Sequence, residues 1–241
     1  MAGRGESPSG DSAYDVFVRE VCHRQLAAWL PKTRQRVVDV SSDESGVGEY
    51  IAAAGHEVVH AVTGGAHEPS LRSVHDVVAD PARLEWVAPA SVDLVVAEGG
   101  VLSAALATEV TLESMRDALR PGGRMLLAVD SLLSGLSAMA GQQRWAELAD
   151  VPAADVVLVT GEDGSITRCF WPEDLATMLD EAGFAVEWIR PRTVLAEPTV
   201  TRALEADPGQ LPALVETELD LAVERAGESV GNVLVASAIR P

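Results

Sequence analysis

The stretch that most constrains this chain is residues 36–62. It opens on an apolar run that contains an acid, Arg36-Val37-Val38-Asp39-Val40, and continues through Ser41, Ser42, Asp43, Glu44, Ser45 and Gly46. An Ala-rich segment over 47–54 follows, then Gly55-His56-Glu57-Val58-Val59-His60-Ala61-Val62. Short β-branched runs of this kind are buried strands, and the Ala-rich segment between them is a short, close-packing helix. The unit is therefore strand, tight turn, helix, strand. That is the opening of a parallel sheet, and an open α/β fold places its ligand at the turn beyond the first strand.

The rest of the chain extends the alternation. Phe17, Val18, Val21, Leu26, Trp29 and Leu30 recur close to helical spacing over 14–30, and Pro31 stops that helix. Gly64, Gly65 and Pro69 cut short any helix after the second strand. Further strands are predicted over 74–78, 91–97, 124–129, 185–189 and 231–239. An amphipathic helix over 111–120 carries Leu112, Met115 and Leu119 on one face, and Pro121-Gly122-Gly123 turns the chain into the fifth strand. Over 131–170 the pattern loosens to an apolar helix and a hairpin around Glu162-Asp163-Gly164, an insertion expected to roof the active-site mouth. Late helices start at Pro172 and fill 200–226, broken near Pro208-Gly209. The fold class is α/β: a doubly wound, mostly parallel seven-stranded sheet, in one domain over 13–241.

A chain of 241 residues suits one such domain. The polar, Gly/Ser-rich residues 1–12 are expected to form a disordered tail without a secretion core, and no apolar run is long enough to cross a membrane, so a cytoplasmic location is expected. The net charge of -19 argues against nucleic acid as a partner, since phosphate binding depends on Lys and Arg. Cys22 and Cys169 are too few for a disulfide framework, and each is read as a small buried residue. His60, His67 and His75 lack the compact spacing of metal ligands, and no metal is expected.

The layout of 36–62 resembles the first motif of class I S-adenosylmethionine-dependent methyltransferases, in which the first strand ends in an acid and a Gly-x-Gly-x-Gly turn follows. Asp39 matches the acid. The three glycine positions fall on Ser41, Asp43 and Ser45, so none is kept. The resemblance runs from about Tyr14 to the end, through the fourth strand, the Arg120-Pro121-Gly122-Gly123 turn and Glu181-Ala182-Gly183-Phe184. It implies that Tyr14 and Asp15, at the start of the leading helix, lie across the cofactor and substrate mouth. It also places Thr63 where the family has a ribose-binding acid, and Asp80 where it has an acid near the adenine amine.

Side chains in a turn that needs bare, left-handed backbone cost about 1–2 kcal/mol each. Asp43 and Glu44 would add repulsion toward a methionine carboxylate. The expectation is therefore a protein that needs no cofactor and has lost ordinary S-adenosylmethionine binding. It would catalyse an elimination, cyclisation or rearrangement on a small molecule of specialised metabolism. Glu98, at the carboxyl edge of the fourth strand, is the general-base candidate, with Asp43 and Glu44 as further acid–base groups. Tyr14, Asp130, Ser131, Arg144 and Arg168 are candidates for holding the substrate, the two arginines by clamping an anion. Two alternatives stand beside this. One is a methyltransferase that binds S-adenosylmethionine through an altered loop, using Asp39, Ser41, Gly46, Thr63 and Asp80. The other is a non-catalytic partner of a related enzyme. A homodimer, or a heteromer with a related protein, is expected.

Overall fold

The computed structural model describes residues 12–42, 45–64, 74–151, 154, 156–161 and 164–241. The expectations for the tail before Ser12, for Asp43 and Glu44, and for Gly65, His67 and Pro69 lie outside the described residues.

The opening unit folds as its sequence dictates. Strand β1 (Arg36–Asp39) leads through the turn into α2 (Val47–Ala53) and then β2 (Glu57–Val62), which pairs parallel to β1. Before it runs α1 (Ala13–Trp29), started by a Ser12–Asp15 capping box. Ser12 thus belongs to the helix rather than to the tail. Strands β3 (Val74–Val78), β4 (Val92–Ala97) and β5 (Leu119–Asp130) extend the parallel sheet. The final strands, β8 (Ala185–Arg192) and β9 (Val233–Ile239), close it antiparallel, in the order β3-β2-β1-β4-β5-β9-β8. The seven-stranded, mostly parallel α/β sheet matches the expectation.

Two boundaries differ for a physical reason. Pro121-Gly122-Gly123 does not end an element but is absorbed into β5 as an irregularity, and the β4–β5 register shifts between Val92 and Leu94. A short helix, α3 (Val101–Ala104), intervenes between β4 and α4 (Thr108–Ala118).

The sheet is covered on both faces. Leu112, Met115, Leu175 and Phe184 pack on one, drawing on α4 and α7 (Pro172–Glu181). Leu26, Trp29, Val47 and Ile51 pack on the other, drawing on α1 and α2. Phe17 and Val21 of α1 also pack against Val200, Leu204 and Val215 of α8 (Glu197–Ala206) and α9 (Leu211–Glu224). That contact fixes the start of α1 over the carboxyl ends of the strands.

The insertion holds α5 (Leu132–Gly141), α6 (Trp145–Asp150) and the hairpin β6 (Val157–Thr160)–β7 (Ile166–Cys169), around a small core of its own. Among the described residues, no helix is long and apolar enough to cross a membrane.

Candidate active site

A cleft in two parts runs along the carboxyl ends of the parallel strands. The smaller part, about 470 Å³, lies beyond β1, β2 and β3 and is lined by Ser41, Ser42, Thr63 and Asp80. The larger, about 730 Å³, lies over β4, β5 and β8 under α1 and is lined by Tyr14, Asp15, Cys22, Glu98, Asp130 and Arg192. Both volumes fall in the range of about 300–1,000 Å³ usual for small-molecule sites. Gly99 and Gly100 line both parts and form the ridge between them. Both have left-handed backbone, at φ +80° and +75°, and a Cβ on Gly99 would sit 2.7 Å from Ser42 Oγ. The ridge is therefore bare backbone that only glycine supplies without strain.

The turn after β1 is tied down by hydrogen bonds. Ser41 N–H donates to Asp39 Oδ1 at 2.9 Å, and Ser41 Oγ accepts from Glu98 N–H at 3.0 Å, linking the edges of β1 and β4. His60, with its ring 3.4 Å from the Asp76 carboxylate, reaches the Ser41 carbonyl oxygen at 3.2 Å. The left-handed step of this turn falls on Gly46, the residue that starts α2, at φ +64°. Among the described residues, Ser41 does not have positive φ. The left-handed penalty expected at that position therefore does not arise.

Asp39 is fully buried. One oxygen takes the Ser41 N–H; the other faces Gly48 and has no hydrogen-bond partner among the described residues. Burial raises its pKa, opposed by the Ser41 hydrogen bonds and by His60. An acid raised in the folded state stabilises most below its unfolded value, near 3.9, and that contribution is lost as pH rises through the folded value. Asp39→Asn keeps the acceptor for Ser41 and removes the ionisation. Its urea midpoint relative to wild type is expected to climb between acidic and neutral pH, and a constant difference across that range would contradict the assignment.

Glu98 is not a free base. Both its oxygens are held by Arg192, at 2.7 and 2.8 Å, with each residue 4% exposed, and Arg192 Nε donates to Gln25 Oε1 at 2.6 Å. The neighbouring loop is fixed as well. Thr193 is left-handed at φ +59°, and the buried Glu218 carboxylate accepts from Val194 N–H and Leu195 N–H, each at 2.9 Å. The sequence reading missed Arg192 and the Gly99–Gly100 ridge.

Tyr14 and Asp15, at the start of α1, line the larger part of the cleft. Burial, then the Glu218 and Glu197 carboxylates, raise the Tyr14 pKa. Burial pushes the Cys22 thiol up to about 12, so it faces the cleft as a neutral group. Asp130 lines the larger part, and burial raises its pKa.

The remaining candidates go elsewhere. Ser131 is buried, caps α5 and donates to the Gly231 carbonyl at 2.5 Å. Arg144 pairs with Glu147, and Arg168 donates to Thr108 and lies over the Phe170 ring. Neither arginine lines the cleft, and neither does any described residue of the insertion from Ser131 onward.

No protein-family model and no curated protein matches the sequence. Solved structures do match the fold. An S-adenosylmethionine-dependent methyltransferase from Mesorhizobium loti is similar at 16% identity and a TM-score of 0.57, over 90% of this chain and 96% of that one. The Burkholderia thailandensis 1,6-didemethyltoxoflavin-N1-methyltransferase, with 1,6-didemethyltoxoflavin and S-adenosylhomocysteine bound, matches at 16% identity and a TM-score of 0.53, over 98% and 93%. A complex between the Haloferax volcanii Trm112 methyltransferase activator and a methyltransferase gives 18% identity and a TM-score of 0.57, over 95% and 96%. This chain has the class I methyltransferase fold.

That finding corrects two expectations: that the chain needs no cofactor, and that it carries out an elimination, cyclisation or rearrangement in place of methyl transfer. The solved structures that share this fold include an S-adenosylmethionine-dependent methyltransferase and a methyltransferase with S-adenosylhomocysteine bound. The physical reason lies in the turn. Glycines missing from one motif do not by themselves remove room: among the described residues of the turn and the ridge, the left-handed backbone falls on Gly46, Gly99 and Gly100.

Proposed function

We propose that this chain is an S-adenosylmethionine-dependent methyltransferase acting on a small molecule. One observation supports the reading above the others: a bipartite cleft on the carboxyl edge of the sheet, with bare glycine backbone where its two halves meet. Ser42, Thr63 and Asp80 would hold the nucleoside half of the cofactor, which supplies an electrophilic methyl group when bound. Thr63 offers one hydroxyl where a carboxylate would accept two ribose hydrogen bonds, so the affinity should be modest. Asp80 accepts from Ala82 N–H at 2.9 Å, which orients its carboxylate at the rim. Arg192 and Glu98 shape the floor between β4 and β8 as a neutral, rigid unit, and the start of α1 screens the mouth from water.

The acidic chain, at net charge -19, favours a small acceptor over nucleic acid. A protein partner is a further element of the proposal, and the Haloferax volcanii pair is its precedent. The test is thermal. S-adenosylhomocysteine at about a hundred times its dissociation constant adds ~2.7 kcal/mol, which for a domain of this size is a rise of about 5–11 °C in Tm. ATP and NAD should leave the melting temperature unchanged. A rise with those nucleotides and none with S-adenosylhomocysteine would overturn the proposal.

A further inference from the structure

Three carboxylates line the larger part of the cleft among the described residues: Asp15, Glu98 and Asp130. Two are committed. Asp15 closes the capping box of α1, its Oδ2 accepting from Ser12 N–H at 3.0 Å and from the Ser12 hydroxyl at 2.7 Å. Glu98 is bound on both oxygens by Arg192. Asp130 is in no ion pair among the described residues; it stands just before α5, and the Ser103 and Ser134 hydroxyls, the latter in the first turn of that helix, favour its ionised form against burial. Its backbone is anchored on both sides. Asp130 N–H donates to Ser103 Oγ at 2.8 Å, and Ser131 caps the next helix.

The position of that carboxylate is specific. Its Oδ2 lies 3.3 Å from the point a Cβ on Gly100 would occupy, so it rests against the ridge shared by the two halves of the cleft. Gly100 puts no side chain between this oxygen and the junction. Two cations line this part of the cleft among the described residues: Arg192 is buried and already neutralised by Glu98, and Arg19 is exposed on α1, so the buried interior offers an anionic acceptor no uncommitted charge.

We infer that Asp130 is the base of the acceptor site, and that the acceptor is a nitrogen nucleophile bearing an N–H, an amine or ring nitrogen, rather than a carboxylate or phenolate. The inference rests on the methyltransferase reading above. The nitrogen lone pair forms the new bond to the methyl carbon, and the carbon–sulfur electron pair stays on sulfur, leaving a neutral thioether. The N–H proton passes to the Asp130 carboxylate, which faces the positive charge as it develops on nitrogen. Burial disfavours the ionised carboxyl and so strengthens it as a proton acceptor.

The experiment uses sinefungin, in which a carbon bearing an amine replaces the methylated sulfur, beside S-adenosylhomocysteine, which has nothing there. Calorimetric titration of the full chain should show sinefungin binding at least about tenfold more tightly, the worth of one charge-assisted contact. In Asp130→Asn that advantage should fall below about twofold, with S-adenosylhomocysteine affinity unchanged. Asp130→Ser, which keeps a hydroxyl partner for Ser103 and Ser134, serves as the second variant should the first fail to fold. An advantage absent from wild type, or retained in the variants, would overturn the role of Asp130 while leaving the cofactor reading intact. Failure of both ligands to bind wild type would overturn the two together.

Discussion

Arg192→Met is expected to destabilise the protein by about 3–5 kcal/mol, because it leaves the Glu98 carboxylate buried without its partner. Both oxygens of Glu98 are committed to the guanidinium, and each residue is 4% exposed at the floor of the cleft, so little water reaches the carboxylate to replace it. Gln25 loses its contact as well. For a chain of 241 residues the loss is a fall in Tm of roughly 6–20 °C. The double variant Glu98→Leu, Arg192→Met removes both charges and should recover most of it, since a buried pair exchanged for apolar groups of similar volume is often neutral or better. Melting curves of the two variants decide the matter. A single variant as stable as wild type would show that the pair is not sealed from solvent.

Gly99→Ala is expected to abolish useful cofactor affinity, lowering it by about a hundredfold, or ~2.7 kcal/mol. Two effects combine. The backbone is left-handed at φ +80°, which costs a side chain about 1–2 kcal/mol. The new methyl would also meet Ser42 Oγ at 2.7 Å and Ser42 N at 3.4 Å, pushing the turn after β1 away from the edge of β4. Gly122→Ala supplies the comparison. That residue has φ +76° with open space around its Cβ position, so the variant carries the backbone penalty without touching the cleft. Binding of S-adenosylhomocysteine should survive in Gly122→Ala and vanish in Gly99→Ala; equal binding in both would remove the ridge from the account.

The sheet was legible in the sequence because its strands are short, β-branched and separated by turn residues. The run 74–78 was located to the residue, and the start of α1 was placed at the mouth by its resemblance to a leading helix. What escaped was non-local. Nothing near Glu98 announces that its partner stands 94 residues further on, beyond a proline in β8. The turn after β1 was misjudged because the missing glycines were weighed by identity. Strain depends on which residue carries positive φ, and in the described turn that residue is Gly46. Arg144 and Arg168 looked available for an anion because sequence does not show that Glu147, Thr108 and Phe170 occupy them.

The central claim is that the two-part cleft takes S-adenosylmethionine. Isothermal titration of S-adenosylhomocysteine into the unmodified chain tests it most directly. One site per chain with a micromolar dissociation constant, about -8 kcal/mol, is the predicted result. Absence of binding heat at millimolar ligand, with the protein folded, would contradict it.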